Sequence, residues 1–368
     1  MTVSSRPAPR RTAANCCTEV RSFQSPAATK RLHCDVVAWR CHIDGVGVRL
    51  GAAGAVGVRL RVGGRVESRV AAGEKPGIQD SGRSTSVTSA PTVSVITISL
   101  HDLDGLKRTV DSVRAQRYGG RIEHIVIDGG SGDDVVEYLS GREPAFTYWQ
   151  SESDGGRYDA MNQGIAHASG DLLCFMNSSD CFSDPDAVAQ VVAAIAGHGS
   201  VRDAWGYGRE HLVGPDGRSF GHLRAPIPFN FHKFLACGMP VPHQAAFFGS
   251  SLVSKLGGYD VDFGLCADQL FIFRAALLRE PITIRRVVCD CDVTGASGVL
   301  PLSEHFRDRR RLSDLHGYYL LGGRRRSLAY MRGWEYMIRA AASTVRVLRR
   351  QLGRDGAIDV ARRSRQGG

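Results

Sequence analysis

The chain has almost nothing with which to staple itself covalently. Its ten cysteines lie at 16, 17, 34, 41, 174, 181, 237, 266, 289 and 291, and no two are spaced as a CxxC pair. No histidine cluster completes a zinc set either. Cys174, Cys237 and Cys266 stand among apolar residues, where a thiol behaves as a small core side chain. Cys289-Asp290-Cys291 has the look of a redox pair, but its surroundings favour ordinary thiols in a reducing compartment. Long apolar runs are missing too. No stretch approaches the ~20 residues of a membrane-spanning helix, and the basic N-terminus is not followed by the apolar core of a secretory signal. These absences predict a chain kept in the cytoplasm.

Positive charge is scarce where a nucleic-acid groove would need it. Residues 91–300 carry 17 Lys/Arg against 25 Asp/Glu, whereas 1–90 carry 14 against 6 and 301–368 carry 16 against 6. The formal charge of +10 therefore sits on the flanks. An acidic centre argues against nucleic acid as a partner; it suits a divalent cation and a sugar. At 368 residues there is room for one large domain or two ordinary ones.

What is present divides into three parts. Residues 1–90 are rich in Gly, Val and Arg without helical period and end in a Pro/Gly/Ser-rich linker, "EKPGIQDSGRSTSVTSAPT". They read as a disordered extension, or as sequence upstream of a translation start near residue 90. Order begins at "VSVITIS", a buried strand, followed by a helix with Leu103, Leu106, Val110 and Val113 on one face. "IEHIVID" is a second strand, "FTYWQSE" a third and "DLLCFMN" a fourth. Helices are expected in "DVVEYLSG", "DAMNQGIAHASG" and "DPDAVAQVVAAIAG". Strands alternating with helices predict an α/β fold around a doubly wound, mostly parallel sheet. Ligands of such sheets sit beyond the carboxyl ends of the strands, and Asp128, Glu152 with Asp154, and Asp180 fall at three of those ends. After residue 300 come basic helices with aromatics, which read as membrane-surface elements.

Over 91–300 the blocks "SVITIS", "IVIDGGSGDD", "SESDGGRYDAMNQGIAHASGDLLCFMNSSDCF", "PHQAAFFGSSLVSKLGGYDVDF" and "CADQLFIFRA" resemble, in order and spacing, glycosyltransferase family 2. The long middle block looks most like bacterial enzymes of exopolysaccharide, O-antigen and actinobacterial glycolipid synthesis. The resemblance implies a Rossmann-like GT-A fold and an inverting transfer of sugar from a nucleotide-sugar donor to a glycan or lipid-linked acceptor at the cell envelope. It assigns donor binding to Ser99, Asp128, Asp154, Arg157, Asp159, Asn162 and Asn177. Ser99 opens a Ser-Leu-His segment where relatives often have Thr-Tyr-Asn, so the loss of an aromatic there leaves the base open. The family's metal motif is thinned to Asn177-Ser178-Ser179-Asp180, with Asp180 as the implied ligand of Mg²⁺ or Mn²⁺. Asp268 matches the catalytic base, with a helix cap as the alternative, and His243-Gln244 match the acceptor-side block. A nucleotide-sugar-binding protein without turnover stands as the rival reading.

Overall fold

The computed structural model describes residues 90–294 and 301–351, with side chains through 344, and three short strands nearer the N-terminus. Those strands, β1 (Arg40–Ile43), β2 (Val46–Leu50) and β3 (Val56–Val58), pair as a small antiparallel sheet of their own. The rest of 1–89 lies outside the described residues.

The second unit opens with β4 (Val93–Ser99), whose seven residues are all buried. A strand covered on both faces needs apolar or β-branched residues throughout, which "VSVITIS" supplies. Next come α1 (Leu103–Arg114), β5 (Ile122–Asp128), α2 (Asp133–Ser140), β6 (Tyr148–Ser151), α3 (Arg157–His167) and β7 (Leu172–Phe175). Asp102 starts α1 by accepting from Gly105 N at 3.1 Å, and Leu106, Val110 and Val113 form its buried stripe. The four strands are parallel in the order β6-β5-β4-β7, as the alternating pattern predicts. Helix α3 crosses β4 closely at Gly164, where a Cβ would come within 2.4 Å of Ile96 Cγ2.

Beyond β7 the winding changes. β8 (Cys181–Phe182), α4 (Ala187–Ala196), β9 (Trp205–Val213), β10 (Ser219–His222), α5 (Phe231–Leu235), β11 (Ala246–Gly249), α6 (Ser250–Leu256), α7 (Ala267–Leu278) and β12 (Ile282–Asp292) follow. β11 slots antiparallel between β7 and β9, β12 runs parallel to β9, and β8 closes the path antiparallel to β12. This half is invisible to a simple βαβ reading. "WGYG" carries glycines and "ITIRRVVCDCD" mixes charge with apolar residues, so neither shows a clean strand period.

The basic helices α8 (Leu302–Leu315) and α9 (Arg324–Gln351) lie on this unit through buried Phe306, Leu312 and Met331. Arg309 is itself buried, stacked 4.2 Å above the Phe234 ring and donating to the Phe234 carbonyl. Truncating a buried Phe such as Phe306 costs about 3–5 kcal/mol, so these helices belong to the folded core.

Candidate active site

β5, β6 and β7 end on the same side of the sheet. Asp128, at the end of β5, is fully buried and fully engaged. Its Oδ2 accepts from Ser131 N at 2.8 Å and Ser151 Oγ at 2.7 Å, and its Oδ1 accepts from Ser131 Oγ at 2.5 Å. The carboxylate thus closes the turn that Gly130 completes at φ +84° and ties that turn to β6. Asp154 and Asp159 organise the next loop. Asp154 Oδ1 accepts from Gly156 N at 2.7 Å; Asp159 Oδ2 accepts from Gly155 N at 2.9 Å and Gln163 Nε2 at 2.8 Å. No side chain caps α3, so the first-turn amides stay free to meet an anion. Arg157 begins that helix, half-buried, with no hydrogen-bond or ion-pair partner among the described residues.

Two further expected residues are conspicuous for what they lack. Ser99 Oγ and Asn177 Oδ1 are buried polar atoms without an internal partner. They lie at the end of β4 and just past β7, neighbours in the sheet. Leaving such an atom unpaired costs about 1–3 kcal/mol, a penalty a bound ligand can relieve. Asn162 is different. Its Nδ2 donates to Tyr259 O at 2.9 Å and its Oδ1 accepts from Tyr259 N at 2.7 Å, so it clamps backbone.

Asp268 stands half-buried in the first turn of α7. The N-cap of α7 is Cys266 and no side-chain cap bond forms, which removes capping as its reason for being there. Gln269 Nε2 donates to Asp268 Oδ2 at 2.9 Å, and the Tyr158 hydroxyl lies 3.3 Å from Oδ1 while donating to Leu265 O at 2.7 Å. Gln269 is buried and fixed by Val241, whose N donates to it at 3.2 Å and whose carbonyl accepts from it at 3.1 Å. Both oxygens of Asp268 are therefore oriented. His243 lies beneath: buried, stacked on Phe175, its Nε2 2.7 Å from Tyr259 OH. Burial pushes its pKa down to about 4 although Asp268 pulls the other way, and Arg157 adds to the lowering. It is a neutral supporting group.

Asp180 closes the turn that follows β7. It is buried, its Oδ1 accepts from Asp292 N at 3.0 Å, and the side chains of Cys291 and Gln244 approach closely enough to favour its charged form. Burial raises its carboxyl to about 6, and Asp292 adds to the rise. Nearby Glu210 is pushed up to about 8, by burial first and then by Asp180. Gln244, expected on the acceptor side, is thus drawn to Asp180. In the 177–180 turn Ser179 sits at φ +74° with its hydroxyl donating to Asp102 Oδ2 at 2.7 Å. Among the described residues no group of three or more His, Cys, Asp or Glu could hold a metal ion. Asp180 is the one anionic residue of the 177–180 turn and its Oδ1 already accepts from Asp292 N, so the turn offers a single carboxylate to Mg²⁺ or Mn²⁺, ions that complete their shells with phosphate oxygens and water.

Sequence reasoning passed over Tyr158 and Gln269, though both stand inside blocks it singled out. It missed Glu210, Cys291 and Asp292 because their strands carry no clear period.

A family model described as Glycosyl transferase family 2 matches residues 94–249. An uncharacterised glycosyltransferase of Mycobacterium tuberculosis is 66% identical over 250 residues, covering 68% of this chain and 94% of the relative. The chain belongs to glycosyltransferase family 2. A PGL/p-HBAD biosynthesis glycosyltransferase of Mycobacterium bovis is 28% identical over 189 residues, 50% of this chain and 70% of the relative. Among solved structures, S. aureus TarS aligns with TM-score 0.49 at 14% identity, covering 67% of this chain and 72% of that one. The Pyrobaculum calidifontis mannosyltransferase PcManGT, in complex with GDP-Man and Mn²⁺, aligns with TM-score 0.46 at 19% identity, covering 71% and 81%. The protein is a glycosyltransferase with the family's GT-A fold, and Asp268 lies beyond the span matched by the family model.

Proposed function

We propose that this glycosyltransferase transfers a sugar from a nucleotide-sugar donor, with inversion, to a glycan or lipid-linked acceptor of the cell envelope, on the cytoplasmic side of the membrane. The observation that carries the reading is the meeting of a cation and a carboxylate. Arg157 stands at the uncapped start of α3 with no hydrogen-bond or ion-pair partner among the described residues, and the next residue, Tyr158, brings its hydroxyl to 3.3 Å from Asp268 Oδ1. Arg157 and the α3 amides hold the donor diphosphate. Unpaired Ser99 Oγ and Asn177 Oδ1 take hydrogen bonds on the nucleotide-sugar, while Asp128, Asp154 and Asp159 shape the loops around it. Asp268 takes the proton of the acceptor hydroxyl as that oxygen attacks the anomeric carbon from the side opposite the diphosphate. The C–O bond to the diphosphate breaks, and its electron pair leaves with the phosphate under the charge of Arg157.

The glycolipid assignment draws on the mycobacterial relative named for PGL/p-HBAD biosynthesis. No helix among the described residues is long and apolar enough to cross a membrane, so a lipid-linked acceptor is met at the surface, on the side of the basic helices. Thermal-shift titration with UDP-, GDP- and dTDP-sugars tests the donor, since binding raises stability with occupancy. A shift that persists in Arg157→Ala would overturn the phosphate assignment. Donor binding without product from any acceptor would favour the rival, a nucleotide-sugar-binding protein without turnover.

A further inference from the structure

Between α8 and α9 lies a groove of about 520 Å³ lined by five arginines, Arg307, Arg310, Arg311, Arg324 and Arg332, against one acid, Asp314. Two of the five are neutralised. Arg324 pairs with both Asp314 oxygens at 2.8 Å, and Arg310 pairs with Glu335 at 2.5 Å. Arg311 and Arg332 keep charge to spare, and Arg307 is held only by two long ion pairs. Arg311 donates to the Phe263 carbonyl at 3.1 Å and lies over the Phe263 ring, but makes no ion pair among the described residues. Arg307 reaches Glu304 and Asp308 only at 3.7 Å, and Arg332 has no partner among the described residues. The rim is apolar. Leu315 is 57% and Leu321 48% exposed, and Tyr336 and Met337, one turn beyond Arg332, are 76% and 48% exposed.

We propose that this groove binds the phosphate headgroups of anionic phospholipids and seats the enzyme on a membrane surface, with Leu315 and Leu321 entering the interface. Arginine forks match phosphate oxygens. Exposed aliphatic side chains beside unpaired cations gain more from the acyl boundary than from water. A nucleic acid would satisfy the arginines but not the leucines, and the rim offers Tyr336 alone for base stacking. The inference deepens the membrane-surface part of the proposed function and rests on it for the choice of lipid, not for the reaction.

The test is co-sedimentation of the full chain with phosphatidylcholine vesicles, with and without phosphatidylglycerol. Wild type is expected to pellet with the anionic vesicles only, and less as salt rises. Arg332→Gln should weaken binding about five-fold and Arg307→Gln/Arg332→Gln about 25-fold, by the usual contribution of a basic side chain near an anionic surface. Leu315→Ser/Leu321→Ser should also weaken it, whereas Arg218→Gln, the same charge loss on the β9–β10 hairpin, should not. Equal pelleting with neutral vesicles overturns the proposal, as does unchanged binding by the double arginine variant with a wild-type melting temperature. RNA binding that needs the arginines while the leucine variant pellets normally would assign the groove to nucleic acid and also overturn it. Sugar transfer to a soluble acceptor is read separately. If it fails in a protein that still pellets as expected, the lipid groove stands and the reaction proposed above falls.

Discussion

Two sets of acidic residues lie along the same sheet and the loops and helix that leave it, and they are treated in opposite ways. Asp128, Asp154 and Asp159 come from one 32-residue stretch and bond mainly to amides and hydroxyls of their own loops. Asp180, Glu210 and Asp292 come from three distant segments and are pressed together by β9 and β12. The local set gives loops a shape while Arg157, beside them, has no ion-pair partner among the described residues. In the distant set burial dominates, raising Asp180 to about 6 and Glu210 to about 8, so that Glu210 keeps its proton at neutral pH and Asp180 takes one up only in mildly acidic solution. A carboxylate's sequence position thus says where it is; what it bonds to decides whether it works as an acceptor, a brace or a neutral acid. Asp268, half-buried and aligned on both oxygens, belongs to neither set.

The largest expected effect falls on Asp268. Asp268→Asn keeps the bonding shape but loses the proton-accepting oxygen, so transfer should fall by about 10²–10⁴-fold with donor affinity unchanged. Transfer at the wild-type rate, measured with saturating donor, would show that the base lies elsewhere. Arg157→Ala comes next. Loss of charge-assisted bonds to phosphate should weaken donor binding by roughly ten- to 100-fold while leaving melting unchanged, because the guanidinium has no partner in the described protein to lose. Calorimetric titration with the nucleoside diphosphate alone checks this.

The contrast between the two acidic sets can be broken directly. Asp128→Ala strands Ser131 and Ser151 and should lower stability by about 1–3 kcal/mol, read by urea denaturation. Removing a carboxyl from the distant set acts through pH instead. Glu210's folded pKa is raised to about 8, so the folded state holds a proton that the unfolded chain releases at lower pH. Stability from this group is complete below the unfolded value and is lost as pH climbs toward about 8. Glu210→Gln should flatten the decline of melting temperature between mildly acidic and alkaline buffer; an unaltered slope would mean that Glu210 reaches water. The smallest effect is expected for Tyr158→Phe. The long contact to Asp268 is lost and Leu265 O loses its donor, so the rate should drop a few-fold with a shifted pH profile, and no shift would reduce Tyr158 to packing.

Much of the first half of the fold is legible without coordinates. "VSVITIS", "IEHIVID" and "DLLCFMN" are apolar over strand length, the helices between them show their faces, and the acids fall at strand ends where the parallel rule puts ligands. The blocks around Asp128, Arg157 and Asp268 carry the resemblance to the family, in order. The second half resisted because β9, β11 and β12 are stabilised by pairing across long sequence separations rather than by their own period. The same distance hid Glu210 and Asp292 behind Asp180.

The sequence by itself determined the βα alternation, the family and the candidates for donor and acceptor chemistry, because hydrophobic period and motif spacing are local properties. Only the tertiary structure decided which candidates are free to act. Hydrogen bonds from Ser131 and Ser151 turned Asp128 into a brace, and the Asp292 amide with Cys291 and Gln244 drew Asp180 inward. Arg157 was left without a partner among the described residues, and the basic helices were folded down until their arginines faced one groove. A side chain's availability depends on which groups reach it through space, and contacts of that range are not written in the residues beside it.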